Sequence, residues 1–218
     1  MKTTEIEKKI EHLLPMEIEK RSFEIIAEEL AARKIVLPPD QDPITRRVIH
    51  TSADFEYAET MRYSEGAIAR AKELICSGAD IVTDTNMALS GINKKQLAKF
   101  GGQVHCFMAD ETVAKLAAER KTTRAAVSME MAAKIDKPVI FAVGNAPTAL
   151  ISLYELMQKS DWRPAFIIGV PVGFVNVEAA KELILKTDVP HIVNRGRKGG
   201  SNVAAAIVNA LLYQIRPV

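Results

Sequence analysis

Pro138-Val139-Ile140-Phe141-Ala142-Val143-Gly144-Asn145-Ala146-Pro147 decides the fold. Its apolar run is continuous rather than alternating, as in a strand of a parallel sheet covered by helices on both faces. The change of pattern that follows is abrupt: Asn145 can cap a helix and Pro147 suits a first helical turn, which predicts a helix running to about residue 159. A buried strand feeding directly into a helix is half of a βαβ unit.

Working outward, the same unit recurs. Towards the C-terminus the pattern predicts strands at 165–170 and 191–193, each followed by a helix, at 176–186 and 201–215. Towards the N-terminus it predicts helices at 110–120 and 123–134 and a strand at 104–107. A helix capped by Asn93 ends at Gly101-Gly102, a strand spans 80–83, and a helix opens at Ser64-Glu65-Gly66 and closes at Ser77-Gly78. The first strand is read in Arg46-Arg47-Val48-Ile49, β-branched at its centre, ending at His50 and opening into the capping residues Thr51, Ser52 and Asp54. Six strands each followed by a helix imply parallel pairing through right-handed crossovers, hence a doubly wound, three-layer α/β sheet. The chain reads as a single domain, 1–218, with an outer helix at about 15–33, whose stripe is Ile18, Phe23, Ile25, Ile26 and Leu30, and a sheet-and-helix body at about 46–215. The proline-rich 38–43 segment connects the two.

Composition bounds the function. With 218 residues, 48% of them hydrophobic and 26% charged, the chain can bury a sizeable core. A formal net charge of +2, from 29 Lys and Arg against 27 Asp and Glu, supplies no global field for nucleic acid or an anionic membrane, so an anionic ligand needs local cations. Residues 1–5 lead into charged sequence with no signal-peptide core, and no run approaches the ~18 apolar residues of a membrane span, which predicts a cytoplasmic protein. Cys76 and Cys106 have no CxxC partner and read as reduced, buried thiols. His105 beside Cys106 lacks a second ligand pair at zinc-like spacing, so no metal site is read. Met87, Met129 and Met131 read as core packing.

Five of the six predicted strands end in a polar or glycine-bearing string, and in a parallel sheet these gather at one edge, where ligands bind. They are His50-Thr51-Ser52, Thr83-Asp84-Thr85-Asn86, 144–148, 169–173 and Asn194-Arg195-Gly196-Arg197-Lys198-Gly199-Gly200-Ser201. His50 can exchange a proton near neutral pH; its ordinary alternative is a capped or solvated residue. In the last string, three cations and three glycines precede a helix N-terminus, so side chains, amides and helix dipole can face one anion, unless it is merely an exposed basic loop. It lacks the ending of a P-loop, and the chain has neither a GxGxxG after its first strand nor a GxSxG elbow. Asp84 can orient a ligand or cap the next helix; Asn145 and Thr148 leave the same two options. Arg124 opposes its helix dipole, which points to a partner or to a surface ion pair.

Val-Ile-His at 48–50, Gly-Asn-Ala-Pro-Thr-Ala-Leu at 144–150, Gly-Val-Pro-Val-Gly-Phe-Val at 169–175 and Arg-Gly-Arg-Lys-Gly-Gly-Ser at 195–201 resemble the precorrin-8 methylmutase family of vitamin B12 synthesis, over roughly 21–212. The resemblance implies an isomerase that moves a methyl group from C-11 to C-12 of ring C, giving hydrogenobyrinic acid or, in the cobalt branch, cobyrinic acid. It implies a homodimer without external cofactor, any cobalt belonging to the substrate, with His50 as proton donor. It places substrate contacts at Ser22, Arg47, the Gly91-Ile92-Asn93 turn and Arg124. Corrinoid substrate and product are the implied ligands, with hand-over to neighbouring pathway enzymes as a further expectation. A flat macrocycle bearing carboxylate arms needs an apolar floor ringed by cations; Arg46, Arg47, Arg124, Arg195, Arg197 and Lys198 supply candidates, and Gly199, Gly200 and Ser201 supply backbone amides. The readings from other classes are a non-catalytic tetrapyrrole carrier with the same basic rim and an unrelated α/β enzyme binding a phosphate ligand at the glycine-rich junction.

Overall fold

Helix formation begins with Pro15. The computed structural model describes residues 10, 11 and 13–215, so the charged lead at 1–5 lies outside the described residues. Two units result, 1–36 and 37–218. In the first, helix α1 (Pro15–Ala32) starts with proline where no N–H is needed, and the Glu17 side chain turns back to accept from the Leu14 N–H at 3.1 Å. Ile26 and Leu30, one turn apart, are buried, whereas Ile18 and Ile25 of the expected stripe are exposed.

The second unit opens on a correction. Residues 42–52, where a strand was expected to lead to His50, form helix α2 (Asp42–Ser52). Ile44, Thr45, Val48 and Ile49 are its buried residues, an i, i+4 spacing that only a helix brings to one face. Pro43 in the first turn and the Arg46 Nε–Asp42 Oδ1 pair at 2.8 Å across one turn support it. Ala53, with φ 53°, ends it by donating to Ile49 O at 2.7 Å. The β-branched pair Val48-Ile49 suggested a strand, but its propensity is outweighed by burial of the four-residue stripe.

Helix α3 (Tyr57–Thr60) and strand β1 (Met61–Tyr63), neither expected, come next; then follow α4 (Ala67–Cys76), β2 (Asp80–Thr83), α5 (Asn86–Gly91), α6 (Lys94–Ala98) and β3 (Val104–His105). The remainder is α7 (Glu111–Glu119), α8 (Arg124–Ala132), β4 (Val139–Val143), α9 (Pro147–Lys159), β5 (Phe166–Gly169), α10 (Val177–Leu185), β6 (His191–Asn194) and α11 (Ser201–Tyr213). The sheet order is β1-β6-β5-β4-β2-β3. All pairings are parallel except that of β1, which runs antiparallel to β6 with Met61 opposite Asn194. Six strands were expected, and six form among the described residues, but the edge strand is β1 instead of the 46–49 segment.

Val139, Phe141 and Val143 share one core cluster with Met129 of α8, Leu150, Leu153 and Met157 of α9, and Ala180 and Ile184 of α10. By strand alternation Ile140 and Ala142 face the other side. That side is covered by α11, which packs on β4, β5, α2, α4 and α5. Its residues from Val203 to Val208 are all buried, as a helix enclosed on every side requires. Met129 is core, but Met87 is 71% exposed and Cys76 is also exposed, so neither is the buried residue expected. No helix among the described residues is long and apolar enough to cross a membrane.

Candidate active site

Strand order controls which junctions meet. Chain connection proceeds from β2 outward to β3 and then returns to β4 on the other side of β2, so the switch point of the winding lies between β2 and β4. Asp84, the first residue beyond β2, is fully buried there. Its Oδ1 accepts from the Gly144 N–H at 2.8 Å, and its Oδ2 accepts from Asn145 at 2.8 Å and Ala146 at 2.6 Å. Burial pushes the Asp84 carboxyl up against the pull of these three amides. Asp84 does not cap the next helix: both of its oxygens are taken by amides of the neighbouring junction. Thr85 is the cap of α5, accepting from the Ala88 N–H at 3.1 Å.

The remaining junctions close on this pair. The Thr85 and Ser201 hydroxyls are 2.7 Å apart. Gly144 lies so close to the α11 entry that a Cβ would stand 2.7 Å from Gly200 O and Ser201 Cα. A Cβ on Gly199 would overlap Val170 O, and the Gly200 N–H donates to that same oxygen at 2.9 Å. Thr123, which caps α8 by accepting from Ala126 N–H at 3.1 Å, donates to Thr148 Oγ1 at 3.1 Å, bringing the start of α8 beside that of α9. Arg124 therefore stands at the same edge, exposed, with no ion pair among the described residues. Asn145 is exposed beside it.

The 195–201 segment differs from the expected cluster of cations facing one anion. Arg195 pairs with Glu182 at 3.0 Å and Arg197 with Glu178 at 3.0 Å, both on α10. Lys198 turns the other way, to Asp54 and to Glu56 at 2.8 Å. The hydrogen bond from Lys198 holds the Asp54 carboxyl below its ordinary range. Each cation is thus drawn to a carboxylate of a flanking element; exposed pairs like those of Arg195 and Arg197 contribute only ~0–1 kcal/mol each. The interior holds the backbone more firmly. Buried Asn194 donates to Arg195 O at 3.1 Å and Lys198 O at 2.8 Å, and accepts from Thr60 at 2.6 Å. Buried Lys181 donates to Gly196 O at 2.7 Å and Lys198 O at 2.8 Å, and its burial pulls its pKa down to about 8. Sequence reasoning missed Lys181, Asn194 and Thr60; the Glu178, Lys181, Glu182 spacing on one helix face was the available signal.

His50 reaches this edge by a different route from the one expected. It is exposed in the last turn of α2, three residues after Arg47 and so on the same helix face. Helix α2 packs along α11, Arg47 lies 5.7 Å from the Tyr213 ring centroid, and Asp54 just beyond α2 holds Lys198. The turn carrying His50 is thereby brought beside the 195–201 loop. Ile92 is 2% exposed and its side chain belongs to the core. Asn93 caps α6 through the Gln96 N–H at 3.0 Å and donates its own N–H to Asn209 at 2.8 Å. Ser22 lies on α1, its hydroxyl donating to Ile18 O at 2.9 Å.

The opposite edge is built differently. There Asp80 accepts from Gln103 N–H at 2.9 Å and pairs with His105 at 2.9 Å and Lys137 at 3.4 Å. Burial pushes the Asp80 carboxyl up, but these partners outweigh it and hold the group below its ordinary value. A cavity of about 70 Å³ lined by Pro138, Val139, Trp162 and Arg163 also lies there. It has room for two or three waters.

Comparison with known proteins agrees with this architecture. The family described as precorrin-8X methylmutase matches residues 17–214. Cobalt-precorrin-8 methylmutase from Priestia megaterium is 43% identical over 197 residues, covering 90% of this chain and 87% of that protein. The protein of the same name from Salmonella typhimurium is 41% identical over 206 residues, covering 93% and 96%. The solved structure of precorrin-8X methylmutase from Thermus thermophilus superposes with a TM-score of 0.80 at 38% identity, covering 90% of this chain and 96% of that one. The chain belongs to the precorrin-8X methylmutase family and is a methylmutase, an isomerase of cobalamin biosynthesis.

Proposed function

We propose that this methylmutase moves the methyl group from C-11 to C-12 of ring C in cobalt-precorrin-8, giving cobyrinic acid, with His50 as proton donor. The cobalt form of the substrate is favoured by the relatives from Priestia megaterium and Salmonella typhimurium, both named for cobalt-precorrin-8. The observation that carries the role of His50 is its exposed position in the last turn of α2, beside the 195–201 loop and the convergence of junctions. In the shift the C-11–methyl bond breaks as the C-12–methyl bond forms. Substrate and product are isomers, so a proton given to the macrocycle must be recovered within the turnover, and imidazole can both give and take it. Arg47, Arg124, Asn145, Thr148 and the amides of Gly199 and Ser201 are the groups assigned to the carboxylate arms, the Gly200 N–H being given to Val170 O, with Arg195 and Arg197 available on exchange of their surface glutamates. The methyl group comes from the substrate itself, so the reaction as written requires no bound cofactor; cobalt travels in the ring. A cytoplasmic homodimer completes the proposal, the dimer checked by light scattering at micromolar concentration.

The test is incubation with precorrin-8, with and without cobalt, followed by visible absorption as conjugation is rearranged. Wild type should convert the cobalt form. His50→Asn should bind corrinoid within a few-fold of wild type while turnover falls at least ~100-fold, the lower end of what a positioned acid supplies. Near wild-type turnover in that variant would remove His50 as the acid. Binding without conversion by wild type would support a carrier, and preference for sugar phosphates a phosphate-ligand enzyme.

A further inference from the structure

Glu178, Lys181 and Glu182 occupy one face of α10, at positions i, i+3 and i+4. The two glutamates hold Arg197 and Arg195 through exposed pairs, while Lys181 between them is fully buried and donates to Gly196 O and Lys198 O at 2.7 and 2.8 Å. Asn194 takes Arg195 O and, again, Lys198 O, and the Gly173 N–H takes Arg197 O at 3.1 Å. All four successive carbonyls of 195–198 are therefore bonded from within the protein. Among the described residues, the amides of Gly196, Arg197, Lys198 and Gly199 donate to no protein acceptor. These amides are left open to solvent or to a ligand.

We propose that Lys181 is a positioning residue, whose buried ammonium draws the carbonyls of Gly196 and Lys198 inward and so holds the 195–199 backbone in the form that offers the amides of 196–199 to the carboxylate arms of the corrinoid. This rests on the assignment of the carboxyl edge to the corrinoid. The chemistry suits lysine: an ammonium has three donors and no acceptor, so one side chain can gather several carbonyls. Burial lowers its pKa, as expected of a cation whose partners are carbonyl dipoles rather than a carboxylate. The exposed glutamate pairs cannot substitute for it, since solvent and salt screen them.

Full-length wild type, Lys181→Met and Glu178→Gln/Glu182→Gln are digested with trypsin, cleavage after Arg195, Arg197 and Lys198 being followed by mass spectrometry, and their KM and kcat are measured with the corrinoid precursor. Lys181→Met should be cut in this segment at least ~10-fold faster than wild type, with other sites unchanged. Its KM should rise by a similar factor while kcat at saturation stays within about threefold, a split that general destabilisation does not produce. The double glutamate variant should change cleavage less than about threefold. If Lys181→Met does not fold, Lys181→Gln, which has the amide but not the reach or charge, is read in the same way. Cleavage at the wild-type rate overturns the proposal, and so does faster cleavage with unchanged KM. Digestion needs no corrinoid, so a wild-type protein without turnover would overturn the assigned reaction and leave digestion to decide whether Lys181 holds the segment.

Discussion

Asp84→Asn changes one atom of a buried side chain and tests the junction between β2 and β4 directly. In the wild type, Oδ1 takes one amide and Oδ2 takes two. An asparagine has one oxygen to offer. Placed where Oδ2 stands, it keeps Asn145 and Ala146 but turns an NH₂ group towards the buried Gly144 N–H; placed the other way, it loses two bonds. The better orientation leaves two buried donors, the Gly144 N–H and the new NH₂ group, facing each other unpaired, at a cost of at least ~1–3 kcal/mol, and weakens the two remaining bonds from charge-assisted to neutral, at about 1 kcal/mol each. Removing a buried charge offsets part of this, so the net loss is roughly 2–4 kcal/mol. For a chain of this size that lowers Tm by roughly 5–15 °C. Differential scanning calorimetry at pH 7 reads it, with Asp84→Ala, which loses all three bonds, expected to be lower still. A Tm for Asp84→Asn within about 2 °C of wild type would show that the amide bonds do not hold the junction. A fall in Tm for Asn but not for Ala would refute the ranking by bond number.

Two further outcomes follow from the same edge. Gly199→Ala would drive a methyl group into Val170 O, a backbone atom that cannot move without breaking its bond to the Gly200 N–H, so a loss of about 3 kcal/mol or more in urea unfolding is expected; an unchanged midpoint would show that the approach can relax. Lys181 has a folded pKa of about 8, below its ordinary value of 10.5. Between those two values the unfolded chain retains a proton that the folded protein has released, so stability should rise with pH across that window, by at most ~3 kcal/mol, and should be insensitive to this group below it. Comparing urea midpoints of wild type and Lys181→Met from pH 7 to 10 isolates the effect; a constant difference would refute it.

The sheet was legible because its strands carry local signals. Residues 139–143 and 166–168 are apolar throughout, and each run leads into a glycine, Gly144 or Gly169, ahead of a helix, so their state depends on near neighbours in the chain. The 42–52 helix was misread because Val48-Ile49 satisfies a strand pattern over two residues, while the helix is established only by Ile44 and Thr45 one turn earlier and by the α11 surface they meet. β1 carries three residues, too few for a period, and exists because β6 offers it an edge. Cys76 and Met87 were misplaced for a related reason: composition gives the average tendency of a residue type, not the side of the helix on which it falls.

The site divides along the same line. Glycines at 144, 199 and 200, the helix start at Ser201 and the positions of His50 and Arg124 along the chain are properties of the sequence, and by themselves they bring a ligand-binding edge and its family into view. Tertiary structure decided what those residues touch. Strand order set β2 beside β4 and made Asp84 a backbone anchor. Helix packing, rather than a strand end, brought His50 to the edge. Carboxylates on α10 and near residues 54–56 drew the three loop cations apart, while Lys181 and Asn194 gathered the loop carbonyls. Hydrogen bonds act over about 3 Å, and the partners at this edge are separated by up to 144 residues of chain, so only the folded arrangement can pair them.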